Sequence, residues 1–326
     1  MIFAADIGGT KANLALYEQS GGKLRRVARQ RFVSREFGRF EDVIGKFLRE
    51  EGADGKVTAA GIGAAGPVAG DEVKITHLNW HLRATSLGQE LGVPSVTLLN
   101  DLEAAGHGLA RLGPEDLYTL NAGTAAPQAN RALIAAGTGL GEAILTWNGE
   151  GYNVLATEGG HCDFAPRTET EIELLRFMKK RFANVCYDQI VSGKGFKRIH
   201  EFFAPEARHT SFEDPASDGA PEICRLAKCA SCRACVKTLD LWVALYGSEA
   251  GNLALKCLAR GGVYVGGGIA PKVQEKLKEG AFFEAFCQKS NFSILLEQFP
   301  IYIIVNEDAP LLGAASCAAA RAGIKI

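Results

Sequence analysis

Carboxylates, hydroxyls and paired glycines recur in this sequence at positions where they could handle phosphate and hydroxyl groups. The first set is Asp6-Ile7-Gly8-Gly9-Thr10, flanked by apolar runs at 2–5 and 13–17. Paired glycines accept the positive φ of a tight hairpin turn, with Asp6 ending one strand and Thr10 opening the next. Such a turn leaves backbone N–H groups uncovered, and the Thr10 hydroxyl adds a donor, so phosphate oxygens could be cradled there. Asp6 then stands where a hydrated Mg²⁺ is useful. An ordinary hairpin whose Asp and Thr satisfy the turn is the simpler alternative. The same device returns at Gly137-Thr138-Gly139-Leu140-Gly141, between strand runs 131–136 and 142–147, and Gly266-Gly267-Gly268 makes a third glycine turn. Two such turns facing each other across a cleft could hold two sides of one polyphosphate.

Polar residues stand at a second group of junctions. Asn100-Asp101 follows a strand at 95–99 and precedes a helix at 102–112. Open α/β sheets bind ligands at the carboxyl ends of their strands, and a helix cap would account for only one of the two residues. Glu158-Gly159-Gly160-His161 offers a carboxylate and an imidazole around glycines that let the backbone pass close to a small ligand. Asp188 precedes the turn Ser192-Gly193-Lys194-Gly195.

Two patterns invite chemistry that their surroundings argue against. Gly61-Ile62-Gly63-Ala64-Ala65-Gly66 has the form of a dinucleotide fingerprint, yet turn chemistry and a further strand follow it where a helix is required. Cys224, Cys229, Cys232 and Cys235 suggest a metal centre, but the Cys-Pro of a ferredoxin run is missing and no histidine lies nearby. Spacing along a helix from Pro221 to about residue 246 reads more simply as small buried thiols.

The elements that must position these groups are α/β in pattern. A third strand at 23–33, a helix at 37–51 with apolar spacing, a helix at 85–91, and strands at 263–265 and 299–305 are expected, with a final Ala-rich helix at 311–322. Residues 204–221 read as a surface loop, and 247–258 as a separate helix. At 326 residues the chain exceeds one comfortable core, so two domains are expected. Lys plus Arg, 36, nearly balances 37 Asp plus Glu, which leaves no electrostatic footprint for nucleic acid or an anionic membrane. No membrane span or basic signal region is visible, so nine cysteines imply free thiols in the cytoplasm.

Taken together, Asp6 to Thr10, Leu98-Leu99-Asn100-Asp101, Gly137 to Gly141, Glu158 to Pro166 and Gly266 to Gly268 resemble the motifs of the bacterial glucokinase family. That family is the hexokinase-like branch of the actin/sugar kinase/Hsp70 superfamily. The resemblance extends over essentially the whole chain and implies a two-domain actin-like ATPase (ribonuclease H-like) α/β fold with a central cleft. It implies a small domain of residues 1–111 plus 309–326 and a large one of 112–308. It further implies ATP:glucose 6-phosphotransferase activity at the start of glycolysis, with ATP and Mg²⁺, commonly in a homodimer. Asp101 matches the family's general base, and Asp6 the residue that positions Mg²⁺ through water. Asn100, Glu158, His161 and Asp188 match its sugar-binding groups. Gly8, Gly9, Thr10, Gly137, Thr138 and Gly139 match its phosphate turns, and Gly266, Gly267 and Gly268 its adenosine turn.

Two departures bear on substrate preference: Asp188 replaces the family's usual Glu, and His77 stands where an Asn is usual. The zinc motif of the related repressor/kinase group, which follows a Gly-His dipeptide, is not matched after Gly160-His161. Rival readings are a kinase for another hexose and a non-catalytic sugar sensor. A sugar-responsive transcription regulator would need a DNA-binding extension before the strand that starts at Ile2.

Overall fold

The apolar N-terminal run becomes β1 (Ile2–Ile7), the centre of a five-stranded sheet. β2 (Lys11–Ser20) and β3 (Lys23–Val33) continue it as an antiparallel meander, while β4 (Ala59–Ala64) and β8 (Val96–Asn100) add in parallel on the other side. The order is β3-β2-β1-β4-β8. Between β4 and β8, the short strands β5 (Val68–Ala69), β6 (Glu72–Lys74) and β7 (His81–Arg83) make a small antiparallel sheet. The structure, a computed structural model, describes residues 1–75, 78–207, 209 and 217–326, so His77 and much of the 204–221 loop lie outside the described residues.

Alternation along β1 sorts its side chains between two cores. Phe3, Ala5 and Ile7 join α1 (Phe40–Glu50) and α2 (Ala84–Leu91), where Phe3 meets Phe47 edge-on at 6.2 Å. Ile2 and Ala4 face the Ala-rich helix α11 (Ala309–Arg321). A Cβ on Gly61 would strike the Ala314 carbonyl, and one on Gly63 would crowd Ala104 of α3 (Asp101–Gly108). The nucleotide-like glycines of β4 therefore serve close helix-on-sheet packing. α11 and α3 approach in the same way through Gly313 and Gly108.

The chain divides into two compact units, Met1–Glu115 with Asn306–Ile326, which holds the five-stranded sheet, and Asp116–Val305. The strands of the second unit are β9 (Leu117–Asn121), β10 (Arg131–Ala136), β11 (Leu140–Trp147), β12 (Tyr152–Thr157), β13 (Val263–Gly266) and β14 (Ile301–Ile304). Their order, β12-β11-β10-β13-β14-β9, repeats the first sheet's logic, a meander on one side of a central strand and parallel neighbours (β13 and β14) on the other, with antiparallel β9 added at that edge.

The helices of this unit are α4 (Glu169–Met178), α5 (Gly193–Phe203), α6 (Ala220–Lys228), α7 (Arg233–Cys257), α8 (Gln274–Lys278), α9 (Ala281–Cys287) and α10 (Ser293–Glu297). Phe196 of α5 stacks on Trp242 of α7 with ring centroids 4.6 Å apart at the heart of the core. Two helix expectations are corrected. The helix from Pro221 breaks at 229–232, where Ala230 turns to φ 51°, and α7 then runs unbroken through Gly247. Gly247 and Gly251 do not interrupt α7; they let it press on α9, since a Cβ at either would hit the Phe282 or Phe286 carbonyl. Cys229 and Cys232 consequently lie in the break and not on a helical stripe.

Candidate active site

In the first unit the Asp6–Thr10 loop and the Asn100-Asp101 junction share the carboxyl edge of the parallel strands. Ile7 is in register with Ala64, and Ala64 with Asn100, so the two junctions stand two strands, about 10 Å, apart. β1 runs on through Ile7 and β2 starts at Lys11, so the turn comprises Gly8, Gly9 and Thr10, tied by the Gly8 N–H to the Lys11 carbonyl at 2.9 Å. Neither Gly8 nor Gly9 is among the glycines with positive φ, contrary to the hairpin expectation. Their value is openness: a Cβ on Gly8 would meet nothing nearer than the Lys11 carbonyl at 3.6 Å, and Thr10 is exposed. Asp6 is half-buried; desolvation pushes its carboxyl up, opposed by the Asn13 amide that donates to Oδ2 at 3.0 Å and by Arg29 and Arg31. Arg31 in turn holds Asn13 and Glu307.

Asn100 is the N-cap of α3. Its Oδ1 accepts from the N–H groups of Leu102 (2.9 Å) and Glu103 (3.4 Å), and Glu103 accepts from the Asn100 N–H. Asn100 Nδ2 donates to the Gly66 carbonyl at 3.3 Å, so this side chain is largely occupied in holding the junction. Asp101 is the first residue of the helix, and its Oδ1 accepts from the Leu102 N–H at 2.9 Å. The positive end of the helix favours negative charge at that position.

In the second unit β10 and β13 are parallel neighbours, so the Gly137–Gly139 and Gly266–Gly268 turns emerge at one sheet edge. The Gly137 N–H bonds the Gly139 carbonyl at 2.8 Å, and Thr138 is exposed at the tip. Gly267 has φ 82° and passes so close to the Ala136 carbonyl that no Cβ fits, so only glycine suits this turn. Gly268 faces open space.

Asp188 joins this phosphate-type turn to the third polar group. Its Oδ1 accepts from the Leu140 N–H at 2.8 Å and occupies the space a Cβ on Gly139 would need. The short turns Gly159–His161 and Tyr187–Gln189 pack together, with Cys186 Sγ 3.8 Å from His161 Nδ1 and Glu158 Oε2 3.9 Å from His161 Nε2. Glu158 and His161 are exposed, with Asp188 half-buried beside them. Gly159 and Gly160 were expected to admit a ligand to the backbone, but the close neighbours are protein. A Cβ on Gly159 would strike the Glu142 carboxyl, and one on Gly160 the Leu140 carbonyl.

Sequence reasoning passed over the groups beneath this loop. Glu142 and Glu249 are fully buried together; burial and the Glu249 charge push Glu142 up to about 8, and burial raises Glu249 as well. Oε1 of each makes no hydrogen bond among the described residues, and the Lys256 ammonium lies 3.7 Å from Glu249 Oε1. The statement that no histidine is near the cysteines is also corrected: α5 brings His200, and the following segment His209, against Cys232 and Cys235. The histidines are remote in sequence, and only the packing of α5 on α7 reveals them. No helix among the described residues is long and apolar enough to cross a membrane.

A sequence model described as Glucokinase matches residues 3–321. The glucokinase of Trichormus variabilis is 38% identical over 338 residues, covering 98% of this chain and 99% of its own length. That of Chromobacterium violaceum is 34% identical over 318 residues, covering 95% and 87%. Among solved structures, the glucokinase from an Antarctic psychrotroph superposes with a TM-score of 0.82 at 30% identity over 98% of both chains. The glucokinase from Balamuthia mandrillaris in complex with glucose has the same fold, with a TM-score of 0.81 at 21% identity over 97% of this chain and 93% of that one.

Proposed function

The chain belongs to the glucokinase family, has its actin-like sugar kinase fold and phosphorylates glucose from ATP, and on that premise we propose which of its residues do the work. Asp101 is the general base. As the sugar 6-oxygen bonds to the γ-phosphorus and ADP leaves, the hydroxyl proton passes to the Asp101 carboxylate. The observation that carries this role is its place as the first residue of α3, with Oδ1 fixed by the Leu102 N–H and the helix end favouring its charge.

Phosphoryl transfer asks the protein chiefly for positioning and for donors aimed at phosphate oxygens. The Gly8–Thr10 and Gly137–Gly139 turns supply such donors through the exposed hydroxyls of Thr10 and Thr138 and through the turn amides other than those of Gly8 and Gly137, which bond the Lys11 and Gly139 carbonyls. Gly266 to Gly268 give adenosine a surface without side chains. Glu158, His161 and Asp188 orient the sugar hydroxyls, and Asn100 adds what remains of its amide. Asp188, with Oδ1 given to Leu140, ties sugar position to the phosphate turn. Asp6 fits a hydrated Mg²⁺, because its desolvated carboxyl is one whose charge a cation would offset. Mg²⁺ held there through water would neutralise charge on the phosphate oxygens.

The test is ADP release with ATP and Mg²⁺ across glucose, mannose, fructose, glucosamine and N-acetylglucosamine. Asp101→Asn should lower kcat on glucose by about 10²–10⁴ with folding unchanged. Near-normal turnover would remove Asp101 from the mechanism, and preference for another hexose would point to the shorter Asp188. The resemblance also supports a homodimer in the cytoplasm, and a monomer mass by light scattering would count against the dimer.

A further inference from the structure

Cys232 is the N-cap of α7, and Cys235 lies in its first turn. Against them stand His200, in α5, and His209. His209 Nε2 lies 3.1 Å from His200 Nε2, 3.6 Å from Cys235 Sγ and 3.8 Å from Cys232 Sγ, and all four donor atoms fall within 4.8 Å of one another. Metal–nitrogen bonds of about 2.0–2.1 Å and metal–sulfur bonds of about 2.3 Å around tetrahedral zinc give edges of roughly 3.3 Å (N–N), 3.6 Å (N–S) and 3.8 Å (S–S). The three edges that meet at His209 already have nearly those lengths, and the other three are no longer than 4.8 Å. Mutual packing of thiols would not require imidazole nitrogens to converge with them.

We propose that His200, His209, Cys232 and Cys235 form a structural zinc site. Two imidazole nitrogens and two sulfurs complete a tetrahedron and leave no open position, the mark of a structural and not a catalytic ion. Cys224 and Cys229 stay outside the set; Cys229 is exposed and its Sγ lies 3.0 Å from Ser231 Oγ. The ligand set also differs from the zinc motif of the related repressor/kinase group, which is not matched after Gly160-His161. The ion would fasten the last turns of α5, residue 209 and the start of α7 to one another. α5 also contacts the phosphate-type turn at its opposite end, where the Gly193 N–H donates to the Gly137 carbonyl at 2.8 Å.

The test uses the full chain without a polyhistidine tag, purified under reducing conditions. Metal analysis should find one zinc per chain that survives gel filtration, and a strong chelator should lower the melting temperature until zinc is restored. Cobalt in place of zinc should give tetrahedral ligand-field bands and a thiolate charge-transfer band. Cys232→Ser/Cys235→Ser should lose both the zinc and that band, whereas Cys224→Ser/Cys229→Ser should keep them. Zinc well below one per chain after equilibration with zinc salt would overturn the proposal, as would a cobalt spectrum without thiolate character. Both of those readings come from the wild-type protein, so they stand even if the double variant fails to fold.

Discussion

Replacing Glu142 with Gln should flatten the pH dependence of stability that the buried carboxyl pair imposes. In the folded protein Glu142 is raised from 4.5 to about 8 by burial and by Glu249. The folded state therefore keeps a proton that the unfolded chain releases. That contribution is fully present below about pH 4.5 and is lost as pH rises through about 8. Each pKa unit is worth about 1.4 kcal/mol, so going from about pH 5 to 7 should cost the wild type roughly 3 kcal/mol that the variant does not lose. Gln keeps the volume and can donate its amide to Glu249, which Asn252 and Lys256 already engage. Lys289 acts in a different window: burial and Arg167 lower it to about 8, so its contribution makes the protein more stable as pH rises from 8 towards 10.5. Taken together, these two groups contribute least to stability near pH 8. The assay is urea unfolding at a series of pH values, followed through the transition that exposes buried Trp242. Unfolding free energies that run parallel in wild type and Glu142→Gln would refute the retention of a proton by Glu142 in the folded state.

Gly267→Ala places a side chain at φ 82° against the Ala136 carbonyl; a loss of about 1–3 kcal/mol or more is expected, together with a raised KM for ATP. A normal KM in a destabilised variant would confine this glycine to folding. Asn100→Ala removes the N-cap of α3 and should cost about 1 kcal/mol, visible as a lower melting temperature, besides any change in glucose KM. An unchanged melting temperature would mean that the cap contributes nothing.

The strands and their glycine junctions were legible because apolar runs of strand length ended at Gly, Asp or Asn, as at Ile7, Asn100 and Ala136. The α/β fold followed from those junctions, and the family from their order. What sequence left hidden depended on contacts between distant segments. The glycines of β4 looked like a nucleotide fingerprint because nothing local shows that α11, some 250 residues on, presses against them. Gly247 looked like a helix boundary because its partner, Phe282, belongs to another helix. The cysteines looked like a stripe because spacing alone does not reveal the Ala230 turn or the histidines beside them. Asp188 read only as a sugar ligand, since its bond to Leu140 spans 48 residues.

The position of α11 has a consequence for biosynthesis. The second unit is one continuous stretch of chain, but the first is completed only by residues 306–326. Until α11 leaves the ribosome, Ile2, Ala4, Ala15 and Tyr17 lack the helix that covers them, although the strands bearing them were made first. Translation order and completion order are therefore reversed: the later-made unit can close before the earlier one. A chain ending at residue 305 should show a protease-resistant second unit and a cleavable first one, and equal resistance of both would show that the sheet holds without its last helix.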